Sequence, residues 1–258
     1  MMKKLKCIIS YDGTNFSGYQ IQPNKRTVQG SIEKAIQTIH KGDYVKVYSS
    51  GRTDAGVHAK AQTIHFTPEH HLVNVDWKRA LNSLLPNDIY IHEVSPVDED
   101  FHSRYHAVAK EYRYFIRVSQ DYDVFRANYT YQIKEDLDLE AILKGCERFI
   151  GTHDFTSFAS AKSTAKGSKV RTLFDVDCIR SGKEYEFIFR GDGFLYNMVR
   201  ILVSSLIDIG KGKLQAEEIP ALLEKRDRTL LGKTAPPQGL IYGKFFMNKH
   251  AITLDIVG

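Results

Sequence analysis

The feature that most constrains this chain is Gly51-Arg52-Thr53-Asp54-Ala55-Gly56-Val57-His58-Ala59, set between two apolar-alternating runs at 44–50 and 57–66. Alternation with a period of two fits strands. Two glycines flanking an Arg-Thr-Asp let the backbone turn tightly. The segment is therefore a strand-to-strand loop that carries a carboxylate on rigid supports. Arg52 stands two residues from Asp54, and a guanidinium that close favours the ionised carboxylate a nucleophile needs. Gly, Asp and Thr are also ordinary turn residues, and an Arg–Asp pair often only fixes a loop.

The elements around that loop come in a defined order. Residues 4–11 alternate as a strand and stop at Asp12-Gly13-Thr14. Thr27 is placed to cap a helix over 28–40, where Val28, Ile32, Ile36 and Ile39 fall at helical spacing. Residues 75–85 read as a helix stopped by Pro86, and 88–94 as a strand. The order β-α-β-β-α-β is that of a ferredoxin-like or RNA-recognition-like unit.

The second half repeats it. In the strand 108–118, Lys110, Tyr112, Tyr114 and Ile116 alternate onto one face. A helix over 139–150 has Gly151 just past its end, and strands at 170–179 and 184–190 flank the hairpin signal Ser181-Gly182-Lys183. Helices at 194–209 and 217–225 and a closing strand at 240–247 follow. The expected fold is α+β: two ferredoxin-like (RNA-recognition-like) βαββαβ halves forming a mostly antiparallel sheet platform with helices on one face. The halves are expected to divide at 1–105, which carries the Asp54 loop, and 106–258, which would complete a cleft at that loop.

Composition narrows the class. With 258 residues, 42% hydrophobic and 26% charged, the chain is an ordinary globular sequence able to bury a sizeable core. A formal charge of +5 and a pI near 8.9 suit a nucleic-acid partner without demanding one. Cys7, Cys146 and Cys178 lie far apart with no CxxC pair, which argues against a zinc site or a disulfide framework and fits a reducing cytoplasm. The start, Met1-Met2-Lys3-Lys4, leads into a strand-like run, so no signal peptide is expected, and no apolar stretch reaches bilayer length. His58, four residues past Asp54, is too sparse a partner to define a metal site, and His65, His70 and His71 read as strand edge and loop. The segment 160–169 carries three lysines and no acid: a solvated loop, or a mobile arm that meets phosphates.

The nine residues Gly51 to Ala59 resemble the active-site motif of the TruA family of tRNA pseudouridine synthases. The resemblance continues through Tyr11-Asp12-Gly13-Thr14-Asn15-Phe16-Ser17-Gly18-Tyr19-Gln20, Thr27-Val28-Gln29, Leu81 to Pro86 and Phe101-His102-Ser103-Arg104. It also covers Lys110-Glu111-Tyr112-Arg113-Tyr114, Gly193 to Arg200 and Ala235 to Leu240. Tyr19 stands where the family usually has tryptophan, and Ser204 where it usually has glycine.

That resemblance implies an RNA pseudouridine synthase acting at positions 38 to 40 of the tRNA anticodon stem-loop. It further implies a homodimer with one tRNA contacting both subunits, and no cofactor or metal. Asp54 would be the essential carboxylate. Tyr112 would stack on the uracil and could deprotonate C5, although a phenol of pKa ~10 is a poor base unless a positive group lowers it. Arg52 would pair with Asp54 and fill the space the flipped base leaves. Arg200, on a helix beside apolar Phe194, Leu195 and Met198, needs a carboxylate partner, for which Asp54 is the candidate. Leu195 and Leu240 would pack around the uracil. The rival readings are a non-catalytic RNA-binding or RNA-folding protein on the same platform, and a paralogous synthase with a different RNA target.

Overall fold

The computed structural model describes residues 3–68, 76–160 and 167–246. His70, His71, the start of the second helix at Val75, most of the lysine-bearing segment and Met247 lie outside them. The chain forms two units, one running to Val108 and resuming at Ile241, the other spanning Ala109 to Leu240. The sequence reading divides the chain once, near 105, and assigns the closing strand to the second half; the units place that strand, from Ile241, with the first.

The first unit contains β1 (Lys4–Tyr11), α1 (Val28–Ile39), β2 (Tyr48–Ser49), β3 (His58–Phe66), α2 (Trp77–Leu84) and β4 (Ile89–Val97). β1 lies between β4 and β3 and runs antiparallel to both. The far edge of β3 takes β2, antiparallel, and the closing strand Leu240–Phe246, parallel through Ile241 and Tyr242. This is the spatial order a βαββαβ unit requires, with β3 between the two strands that α1 connects. Alternation in β1 buries Leu5, Cys7, Ile9 and Tyr11 on one side. Helix α1 covers apolar surface with Val28, Ile32 and Ile36 and is capped by Thr27, whose hydroxyl accepts from Gly30 N.

The strand expected over 44–50 shortens to two residues for a local reason. Buried Glu33 of α1 accepts from Val47 N at 2.9 Å, and Gln29 Nε2 donates to Val47 O at 3.2 Å. Helix side chains thus take the backbone groups that a ladder would have used.

The second unit contains β5 (Ala109–Val118), β6 (Tyr131–Ile133), α3 (Leu139–Glu147), β7 (Gly151–Asp154), β8 (Val170–Ser181), β9 (Glu184–Gly191), α4 (Met198–Gly210) and α5 (Ile219–Lys225). Its strands run β5-β9-β8-β7, each antiparallel to the next, with β6 parallel to β5 on the other edge. Again the first strand sits beside the last of its hairpin, so the second unit repeats the first unit's winding. The short β6 and β7 escape a periodicity reading because three or four residues carry too little pattern.

The helix expected over 194–209 begins only at Met198. Asn197 takes φ +60°, a left-handed conformation that a helix cannot continue through, and so residues 194–197 form a loop. Helix α3 ends at Glu147, three residues short of the expected 150, and Gly151, at φ +111°, opens β7 instead of directly following the helix. Tyr114, Phe149, Phe155, Phe158, Phe187 and Phe189 form the core of this unit with Leu202 and Leu206 of α4.

One buried titratable group makes stability depend on pH. His65 of β3 is 3% exposed; its Nδ1 accepts from Ser103 N at 3.2 Å. Burial, helped by the charges of His102 and Lys4, lowers its pKa to about 4. An unfolded-chain histidine titrates near ~6.5, so the fold holds the neutral form, and this contribution is fully present above that pH and lost as pH falls towards 4. The urea-unfolding free energy of the wild type should therefore fall between pH 6.5 and pH 4 by on the order of 3 kcal/mol more than that of His65→Gln. Parallel pH profiles for the two proteins would contradict the assignment.

Candidate active site

Asp54 sits half-buried on the loop between β2 and β3, and the loop is braced from below. The Thr53 hydroxyl lies 2.7 Å from Tyr11 OH, which donates to Gln62 Oε1 at 2.6 Å. Gln62 Nε2 in turn donates to Gly51 O at 2.7 Å. The chain of bonds leaves the loop at Thr53 and returns to it at Gly51, passing through side chains of β1 and β3. Thr53 and Gln62 are buried, and so is Tyr11.

The backbone adds to this. Tyr19 N donates to Thr53 O at 3.0 Å, Val57 N to Asp54 O at 3.2 Å, and Gly56 N to Phe16 O at 3.3 Å. Gly18, at φ +99°, lies so close beneath the loop that a Cβ there would approach Thr53 O to 3.0 Å. A Cβ on Gly13 would lie 2.0 Å from Val57 O. Segment 11–19 is thus the bed on which the carboxylate loop rests.

The Arg52 side chain is exposed, next to inward-turned Thr53. The loop is fixed through the Thr53 hydroxyl and the backbone. His58 is buried on β3, where its Nδ1 accepts from Gly13 N at 3.0 Å. Among the described residues no group of three His, Cys, Asp or Glu side chains could hold a metal ion.

The second unit gathers the remaining candidates around β5. Tyr112 is 8% exposed, and its ring meets Phe194 edge-on with centroids 5.0 Å apart. Leu195, next to Phe194, is buried in the loop that the left-handed Asn197 ends. Arg200 lies in the first turn of α4; its Nε donates to Ala235 O at 2.7 Å and its Nη1 to Asn197 Oδ1 at 3.1 Å. Ala235 N returns a bond to Arg200 O at 3.2 Å. Arginine and segment 235–240 are therefore mutually fixed. Tyr114 OH donates to Pro236 O at 2.7 Å, and a Cβ on Gly239 would come within 2.7 Å of the Tyr114 ring. Only glycine lets this segment pass so near the ring, and it places buried Leu240 at the unit's end.

On the opposite side of β5 lies a buried charge network. Arg190 Nε and Arg113 Nε each donate to fully buried Glu111 at 2.7 Å, while Arg190 reaches Asp175 and Arg113 reaches Glu186. Sequence reasoning missed these residues, and likewise Tyr11 and Gln62. A polar residue at an inward register position of a strand is the available signal, and it does not say which partner the fold supplies.

A family model described as tRNA pseudouridine synthase matches residues 7–106 and 146–245. The chain is 53% identical over 239 residues to tRNA pseudouridine synthase A of Oceanobacillus iheyensis, covering 93% of this chain and 94% of that one. It is 52% identical over 239 residues to tRNA pseudouridine synthase A 1 of Bacillus cereus, covering 93% and 96%. It is 50% identical over 246 residues to tRNA pseudouridine synthase A of Geobacillus sp., covering 95% of this chain and 99% of that one. The chain belongs to the TruA family of tRNA pseudouridine synthases. It is an RNA pseudouridine synthase, an isomerase.

The bracing gives a direct expectation. Gln62→Leu removes the buried side-chain partner of Gly51 O and one of the partners of Tyr11 OH, a loss of about 1–3 kcal/mol. It should lower kcat for pseudouridine formation more than it alters KM, because it loosens the loop that carries the carboxylate. Wild-type kcat in a folded Gln62→Leu protein, measured alongside its thermal midpoint, would show that the loop does not depend on this bond.

Proposed function

We propose that the chain converts uridine to pseudouridine at positions 38 to 40 of the tRNA anticodon stem-loop, with Asp54 as the essential carboxylate. The observation that carries this reading is the braced loop presenting Asp54 within the first segment matched by the family model. In the reaction the C1′–N1 bond breaks, the uracil turns, C1′ bonds to C5, and the C5 proton leaves while N1 gains one. No electrons are exchanged with an outside acceptor, so the chemistry calls for no redox cofactor.

In this reading Tyr112 stacks on the uracil and is the group that deprotonates C5, and Leu195 and Leu240 pack around the base. Arg200 supplies positive charge to that binding group. Arg52, exposed on the same loop as Asp54, pairs with that carboxylate and enters the space left by the extruded nucleotide, since removing a base from its stack costs a few kcal/mol. The protein acts in the cytoplasm as a homodimer, with one tRNA touching both subunits. RNA binding by two modestly basic chains should weaken steeply with salt. No helix among the described residues is long and apolar enough to cross a membrane.

Tritium release from tRNA labelled at uridine C5 tests this. Asp54→Ala should reduce release by roughly 10⁴-fold while tRNA affinity is largely kept. Retained turnover in that variant would refute the site. Salt-sensitive tRNA binding by the wild type with no release would favour a binding protein on the same scaffold.

A further inference from the structure

A cluster of rings near the Asp54 loop in the first unit has no part in the bracing or the chemistry described above. Its base is buried: His65 and Phe101 meet edge-on with centroids 5.7 Å apart. Tyr48 of β2 lies nearly flat against His65, at 5.0 Å and 14°. His102 stands edge-on to both, 4.8 Å from His65 and 5.5 Å from Tyr48. Tyr105 extends the stack outward, 4.3 Å from His102. A turn holds this outer part in place, with Tyr105 N donating to His102 O at 3.1 Å and Arg104 N to His102 Nδ1 at 3.2 Å.

The rings are organised, yet the outer two remain in solvent: Tyr105 is 74% exposed and Tyr48 41%. A tyrosine ring buried in a fold contributes a large apolar area, and here that contribution is forgone while the backbone still fixes the ring. Basic side chains adjoin the rings. Lys46 Nζ lies 5.1 Å from the Tyr48 ring centroid, and Arg104 stands between His102 and Tyr105 in the turn. Flat, pre-ordered rings with a basic margin match a nucleotide, whose base stacks on aromatic faces and whose phosphate is anionic. The chain from Tyr48 to Asp54 spans at most about 20 Å, so a base on the rings and a uridine at Asp54 fit one stretch of RNA.

We propose that Tyr48, His102 and Tyr105 form a stacking site for an unpaired base of the substrate RNA, with Lys46 and Arg104 meeting its phosphates. This inference rests on the reading that the enzyme's substrate is tRNA. The site holds RNA and takes no part in the bond changes, so its loss belongs in Kd and KM and not in kcat.

The test compares wild type, Tyr48→Ala, Tyr105→Ala and Tyr105→Phe in tRNA binding at fixed salt, steady-state tritium release and thermal unfolding. Tyr105 is exposed, so its replacement keeps the fold. Both alanine variants should raise Kd and KM roughly 5- to 100-fold with kcat retained, and Tyr105→Phe should restore wild-type values. Wild-type Kd in both alanine variants, or an effect confined to kcat, overturns the stacking site. Absence of tritium release from the wild type would instead refute the functional reading, whatever the variants do.

Discussion

The hydrogen-bond chain Thr53–Tyr11–Gln62–Gly51 is the interaction on which the site depends. A carboxylate on a loop is useful for chemistry only where the loop cannot drift, since catalysis requires its reacting atoms to be held within fractions of an ångström. Here the loop is bonded at two points to adjacent strands of one sheet. β1 and β3 pair with Ile9 opposite Gln62 and Tyr11 opposite Ala59, the register shifting between them, and the Tyr11 and Gln62 side chains meet without any long flexible connection. Gly13 and Gly18 make the same point through space, because backbone runs where any side chain would collide. Sheet register, two glycines and three buried polar side chains together present Asp54.

The second unit meets a comparable demand by other means. Tyr112 is carried on a central strand whose opposite side is anchored by the Glu111–Arg190–Arg113 ion network. Such a network contributes little net stability against its desolvation cost, but breaking one partner leaves a buried charge uncompensated, which holds the strands in one arrangement. The left-handed Asn197 ends the loop that carries Leu195, and Arg200 then fastens segment 235–240. Candidates far apart in sequence are thereby assembled around β5.

Much of this was legible in the chain. Alternation at 4–11 and 108–118, the Thr27 cap and the hairpin at Gly182 each produce structure within a few residues, and each is found. Where neighbours in space decided, the reading diverged. Glu33 takes the backbone of Val47 and shortens β2. The expected start of α4 at 194 fails at one residue, Asn197, whose positive φ no periodicity records.

The sequence by itself determined the order of the longer elements, the fold class and the loop bearing Asp54, because hydrophobic period, capping and turn chemistry act over short distances along the chain. The tertiary structure alone decided which polar side chains meet: Tyr11 with Thr53 and Gln62, Glu111 with Arg190 and Arg113, His65 under Tyr48. Those pairings need strand register and the closing of long loops, and a polar residue on an inward face is compatible with many partners until the sheet has chosen one.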